Sequence, residues 1–360
     1  MSHKQNKIVK LMIHSQYLKK NKLPNKYKYV WPWDIEIPQF LPTMPDGSPW
    51  PKISIITPSY NQAEFIEETI RSVICQGYPN LEYIIIDGGS TDGSVEIIKK
   101  YKENLTYWVS EPDRGQAHAI NKGLLRITGD IFGWINSDDM LLPNSLSKLA
   151  ETYQNNQDKI LLGDLIYYFH SHNKYKKVHQ KNVTISNLIN PFKEKSIWQQ
   201  PSTFVPRKFI NTNILLDENL RYVFDYDWMI RLLQITSVHY INEVIAVFRF
   251  HKKSKTVNEK FSWLVEIEIV LKRYWDLVSN EEKKQIEANI EFIKAANHLG
   301  VKQWDRKFAQ KKLMNSCKIY PKIIFSVNYL QFLIRSILPF SFLKFLRKSF
   351  TKLNIFFPYD

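Results

Sequence analysis

Between Lys52 and Ile135 the sequence alternates short apolar, β-branched runs with stretches of helical periodicity, and few folds accommodate that alternation. Residues 53–57 form an apolar run ending in a turn, and "LEYIIID", "LTYWVS" and "DIFGWI" follow as three further strands. Phe65, Ile66, Thr69, Ile70 and Val73 recur at spacings of three and four, which predicts a helix over 62–76. Helices are also expected in "DGSVEIIKKY" and "GQAHAINKGLLRI". Strands alternating with helices in this way imply an α/β fold on a mostly parallel sheet.

Open sheets of this kind bind ligands beyond the carboxyl ends of their strands. Here those ends are polar: Thr57-Pro58-Ser59-Tyr60-Asn61, Asp87-Gly88-Gly89-Ser90 and Asn136-Ser137-Asp138-Asp139. Each has a purely structural explanation by itself, because Asp87 can cap the next helix and "SDD" can start one before Pro143. Three such turns at one sheet edge are hard to ascribe to capping. The glycines of "GGSTDG" follow the second strand and miss the dinucleotide spacing, and no G-x-x-x-x-G-K-[ST] loop occurs. A dehydrogenase and a phosphate-loop hydrolase are thereby disfavoured. What remains is a nucleotide held by side chains, with adjacent carboxylates suited to Mg²⁺ or Mn²⁺.

The segments "ISIITPSYNQAEFIEETIRSVICQGYPNLEYIIIDGGSTDGS", "EPDRGQAHAINKG" and "GWINSDD" resemble family-2 glycosyltransferases of the GT-A fold, over roughly residues 52–250. The resemblance implies inverting transfer of a sugar, of hexosyltransferase type, from a nucleoside diphosphate sugar (UDP-sugar first) to an acceptor hydroxyl. Cell-surface polysaccharide or glycan assembly on a lipid-linked or glycan acceptor is the expected setting. By the same resemblance Thr57, Pro58, Ser59, Tyr60 and Asn61 line the base and ribose. Asp87 with Gly88 and Gly89 bonds base or ribose, Ser90 and Asp92 support that turn, and Arg114 lies near the nucleotide. The family's D-x-D element falls on Asn136-Ser137-Asp138, with Asn replacing its first carboxylate; a ribose contact is expected there. The metal is expected on Asp138 first, then Asp139, with His251 approaching it. The base is expected at a helix start in "VFDYDWMIRL", on Asp225 first and Asp227 second; Phe224 stands where the family often has Glu. Both aspartates could instead only cap that helix.

Trp198, Gln199 and Gln200 could form an acceptor face, since sugars stack on Trp rings, or Trp198 could be core. His170, His172 and His179 sit in a Lys-rich loop and are assigned no metal. Two alternatives stay open: a nucleotidyltransferase of similar fold, whose Gly-rich opening loop "TPSYNQ" does not match, and a catalytically decayed sugar-nucleotide-binding or scaffold subunit.

Three regions are expected: a basic segment and Pro-rich arm over 1–51, a catalytic domain over 52–256, and a helical, basic, aromatic-rich region over 257–360. The arm, with six prolines in 31–51, should be ordered but irregular. After 143 the pattern gives a helix over 143–155, a strand near 160–168, a hairpin or loop in "HSHNKYKKVHQK", a helix near 225–235 and a strand near 238–249.

The net charge of +15 is unevenly spread. Residues 1–52 carry nine bases and three acids (+6), 301–360 twelve and two (+10), leaving 29 bases and 30 acids between. Basic ends around a near-neutral middle disfavour nucleic acid and favour a membrane surface or an anionic partner reached by the tails. Residues 341–357, "SFLKFLRKSFTKLNIFF", set Phe342, Phe345, Leu346, Phe350 and Leu353 against Lys344, Arg347, Lys348 and Lys352, as an interfacial helix would. Distant Cys75 and Cys317 point to a reducing compartment, and no signal-peptide or spanning pattern is seen. The expected location is cytoplasmic, peripheral at the inner face of the cell membrane.

Overall fold

The computed structural model describes residues 31–33, 36–191, 198–210, 214–255, 262–299 and 305–338. The expected helix over 341–357 and the basic segment 1–30 lie outside them. The chain divides into two compact units: the described residues of 1–185 with 196–260, and those of 186–195 with 261–360.

The first unit is built on a nine-stranded mixed sheet. Strands β1 (Ile53–Ser59), β2 (Leu81–Asp87), β3 (Tyr107–Ser110) and β4 (Ile131–Trp134) run parallel in the order β3-β2-β1-β4. The near-continuous burial of β1, β2 and β4 explains why they read as unbroken apolar runs, whereas the edge strand β3 is half-buried. Helices α1 (Ile66–Ile74), α2 (Ser94–Lys100) and α3 (Gln116–Leu124) make the crossovers. Gly123 lets α3 close on β1, because a Cβ there would meet Ile56 Cγ2 at 2.7 Å.

Beyond β4 the sheet changes sense. β5 is Met140–Leu141, α4 Ser145–Gln154, β6 Lys159–Phe169, β7 Lys174–Val178, α5 Ile185–Ile189 and β8 Thr203–Pro206. The unit closes with α6 (Phe224–Leu233) and the long β9 (Ser237–Phe250). β8 is antiparallel to both β4 and β6, whereas β6 runs parallel to β9 with a register shift around Asp164. The Lys/His-rich stretch is a hairpin, β6 against β7. β9 also pairs with β5, which brings residue 249 beside the end of β4.

The Pro-rich arm is ordered by aromatic packing. Phe40, Trp50 and Tyr78 meet edge-on with centroids 5.1 and 5.6 Å apart, and Tyr78 donates to the Pro51 carbonyl. Trp31 donates to the Leu141 carbonyl, and Arg71 to the carbonyls of Pro32 and Trp33.

The second unit is helical: α7 (Trp263–Arg273), α8 (Asn280–His298), α9 (Arg306–Ile319) and α10 (Val327–Ile337). Ser279 and Glu282 close a capping box at the start of α8, and Asp305 caps α9. Small residues Ala288, Ala295 and Ala309 let helices approach around Leu313, Tyr329 and Phe332. Phe325, Val327, Leu330 and Ile337 remain exposed. Among the described residues, no helix is long and apolar enough to cross a membrane.

Candidate active site

The ends of β1 and β2 are tied into one frame. Asn61 takes a left-handed conformation, donates its N–H to Ser90 Oγ at 2.8 Å and accepts from Thr91 N at 2.9 Å. Asp92 accepts from Ala63 N, Ser94 N and Ser94 Oγ; burial pushes its carboxyl up, but these bonds prevail and lower it. Asp87, fully buried, accepts from Gly89 N, Ser90 N, Ser90 Oγ and Ser110 Oγ at 2.5–3.1 Å. Four donors on one carboxylate make Asp87 the knot of the turn. A Cβ on Gly88 would lie 2.5 Å from Asp113 Oδ2, so a side chain there would require Asp113 to move. Pro58 is buried in β1. Tyr60 is 62% exposed, so its ring stands clear of the frame. Ser59 Oγ is buried without a hydrogen-bond partner among the described residues. Arg114 is exposed and pairs with Glu218, which also accepts from Asn121.

The end of β4 separates two neighbouring carboxylates. Asp139 faces inward: Oδ1 accepts from Arg249 N at 2.9 Å and Oδ2 from Asn136 Nδ2 at 3.1 Å. Burial, with Asp138 alongside, holds its carboxyl well above the usual range. Asp138 faces outward, with Oδ2 2.9 Å from Nε2 of the buried His251. The His251 ring rests on Phe65, centroids 4.3 Å apart. Ser137, between Asn136 and Asp138, is buried. Asn136 accepts from Gln116 Nε2, and Gln116 Oε1 accepts from Lys255.

Asp225 and Asp227 divide in the same manner. Asp227 is buried and bound to Arg231 Nε at 2.8 Å. Asp225 accepts from Tyr226 N at 2.8 Å, and burial pushes its carboxyl up to about 6 against the pull of that bond and of Lys255. Lys255 therefore lies within electrostatic reach of Asp225 and in contact with Gln116, linking the α6 start to the β4 end. Trp198 is half-buried, donating to Thr203 Oγ1 and facing Tyr226 at 6.5 Å. Gln199 donates its N–H to Gln180, and Gln200 donates to the Trp134 carbonyl while its buried Oε1 has no partner among the described residues. His170 and His172 lie in the hairpin turn and His179 binds Asp164.

Residues 54–215 match the family described as Glycosyl transferase family 2. Over those residues the chain is similar to this family. An uncharacterized glycosyltransferase of Rickettsia prowazekii is 29% identical over 262 residues, 69% of this chain and 77% of that one. A candidate teichuronic acid biosynthesis glycosyltransferase of Bacillus subtilis, TuaG, is 39% identical over 104 residues, 28% of this chain and 41% of that one. The fold is that of the GT-A glycosyltransferases. S. aureus TarS 1–349, solved in complex with UDP-GlcNAc, superposes with a TM-score of 0.56 at 17% identity, over 79% of this chain and 87% of that one.

The donor set available to a divalent cation at this site is small. Among the described residues no three His, Cys, Asp or Glu converge on one point. Asp138 and His251 form a pair of donors, and such a pair suits a cation completed by substrate phosphates. Sequence reasoning missed Arg249, which donates to the Asp138 carbonyl and to Glu68 and lies over Phe65. It also missed Gln116, Lys255 and Glu218. The only signal for Arg249 was its place two residues before His251.

Proposed function

We propose that the chain is an inverting hexosyltransferase that moves a sugar from a nucleoside diphosphate sugar to an acceptor hydroxyl in cell-surface polysaccharide or glycan assembly. The observation that carries this reading is a pair of unlike carboxylates, Asp138 and Asp225, whose turns are linked through Gln116 and Lys255. Asp138, beside His251, takes the diphosphate side; Asp225, with its carboxyl at about 6, takes the acceptor side. A carboxylate poised near neutrality is the base that inversion requires, able to take the proton of the attacking hydroxyl. Mn²⁺ or Mg²⁺ held by Asp138 and His251 would act as a Lewis acid toward the leaving diphosphate. The Asn61–Asp92 frame would receive base and ribose, with the buried Ser59 hydroxyl available to them. Trp198, Gln199 and Gln200 would face the acceptor. TarS, whose fold this chain shares, was solved with UDP-GlcNAc, so UDP-sugars are the first donors to try.

The test is a thermal-shift series with UDP-sugars, with and without Mn²⁺. A ligand that binds only the folded state raises the melting temperature. Stabilisation should require metal and nucleotide together and vanish in Asp138→Ala. Its persistence in that variant would remove the metal from Asp138.

The same reading has the protein work peripherally on a membrane face. The +10 of residues 301–360 and the exposed Phe325, Val327, Leu330 and Ile337 support it. Full-length protein should sediment with anionic liposomes at moderate salt; indifference to them would remove this part.

A further inference from the structure

We infer that the β6–β7 hairpin forms an acceptor subsite selective for an anionic carbohydrate, one bearing phosphates or carboxylates along its chain. This rests on the transferase reading. The hairpin and the segment before β8 enclose a cleft of about 480 Å³, lined by Tyr167, Lys176, Lys177, His179, Lys181 and Trp198. Its size suits one or two sugar residues. Trp198 is fixed by its bond to Thr203 and faces Tyr226, the neighbour of Asp225. The cleft therefore opens beside the residue that would deprotonate the acceptor.

The charge of this cleft stands out against its setting. Residues 53–300 hold 29 bases and 30 acids, yet three lysines gather here around one aspartate, a local excess of two. Asp164, nearly buried, engages His179 Nδ1 at 2.7 Å and Lys177 Nζ at 3.3 Å, which anchors those two side chains. Lys176 and Lys181 are exposed and have no ion pair among the described residues. The donor's diphosphate does not account for them, because its proposed site is at Asp138 and His251. Ammonium groups beside a Trp and a Tyr ring suit a chain of alternating sugar faces and anions, with stacking on the rings and point charges reading the anions.

The experiment titrates full-length protein with four probes, followed by calorimetry: oligomeric poly(glycerol phosphate), oligogalacturonate, a neutral dextran oligomer, and single-stranded RNA of matched charge. One of the first two should bind about tenfold more tightly than dextran and RNA, and which one does identifies phosphate or carboxylate as the anion read. The triple variant K176Q/K177Q/K181Q should lose about tenfold in that affinity, and K176R/K177R/K181R should retain it. The melting temperature of each variant reports its folding. Equal binding of dextran, equal binding of RNA, or an unchanged affinity in the Gln variant would each overturn the subsite. Nucleotide-dependent thermal shift of the wild type is measured in parallel. Its absence would fell the transferase reading and with it the acceptor role, leaving any polyanion binding standing as a binding site, whereas its presence without polyanion binding would fell only this inference.

Discussion

The two sides of the candidate cleft use the same side chain in opposite ways. On the side proposed for the nucleotide, Asp87 accepts from four donors, three in its own turn, and Asp92 from three, two in its own turn. On the other side, Asp138 meets one imidazole, and Asp225 accepts one backbone N–H while burial raises its carboxyl. A carboxylate whose lone pairs are filled holds backbone in place. One desolvated with a single donor, as Asp225 is, keeps its basicity for a proton. Within each adjacent pair the second aspartate is the more buried and is tied to an arginine, Asp139 to the Arg249 N–H and Asp227 to the Arg231 side chain.

The sharpest way to break this comparison is Asp225→Asn. Transfer should fall about 10²–10⁴-fold with nucleotide binding nearly unchanged. In the wild type, kcat/KM should rise with pH and level off above about 6, as Asp225 loses its proton. Stability should move the other way. Below about pH 4 folded and unfolded states both carry the proton, so there is no penalty. As pH rises through about 6, the folded state takes on the full cost of an ionised buried group. Asp225→Asn should therefore melt higher than wild type at pH 7, by about 1–3 kcal/mol, and equally at pH 4. A variant that melts lower at pH 7 would mean that Asp225 is a structural cap.

Arg249→Met should destabilise the first unit by about 3–5 kcal/mol, because Glu68 is left buried without its cation. Denaturant unfolding measures it, and a loss under about 1 kcal/mol would show the pair to be dispensable. Asp87→Ala strips the acceptor from four donors and should cost about 2–4 kcal/mol by the same assay. It should also weaken nucleotide binding, since Asn61 and Ser90 lose their common support. The smallest effect is expected from Asp227→Asn: about 1 kcal/mol of stability through the Arg231 pair, with kcat within a few-fold of wild type. A loss of kcat matching that of Asp225→Asn would reverse the roles of the two aspartates.

Much of the first unit was legible because its information is local. Buried parallel strands read as apolar runs, and the turns announced themselves by their polar residues. The strand over Ser237–Phe250 and the helix at Phe224–Leu233 were also found near their observed limits. What could not be read was direction. Asp138 and Asp139 are consecutive and chemically identical, and only the pairing of β5 with β9 decides that the second faces Arg249. The Arg249–Glu68 pair spans 181 positions, and nothing local to either residue announces it. Lys255 and Gln116 meet across 139 positions for the same reason.

Arg249 also has a consequence for synthesis. The recognisable family sequence ends at residue 215, but the residue whose side chain fastens Glu68 and the Asp138 carbonyl, and whose backbone N–H holds Asp139, comes 34 positions later. On a ribosome the first four strands emerge with two buried acids waiting for their partner. They can collapse early, but the cleft cannot take its final form until β9 has left the exit tunnel and threaded alongside β6. A fragment cut at the edge of sequence similarity would carry the three polar turns and lack their clasp, together with Asp225 and His251.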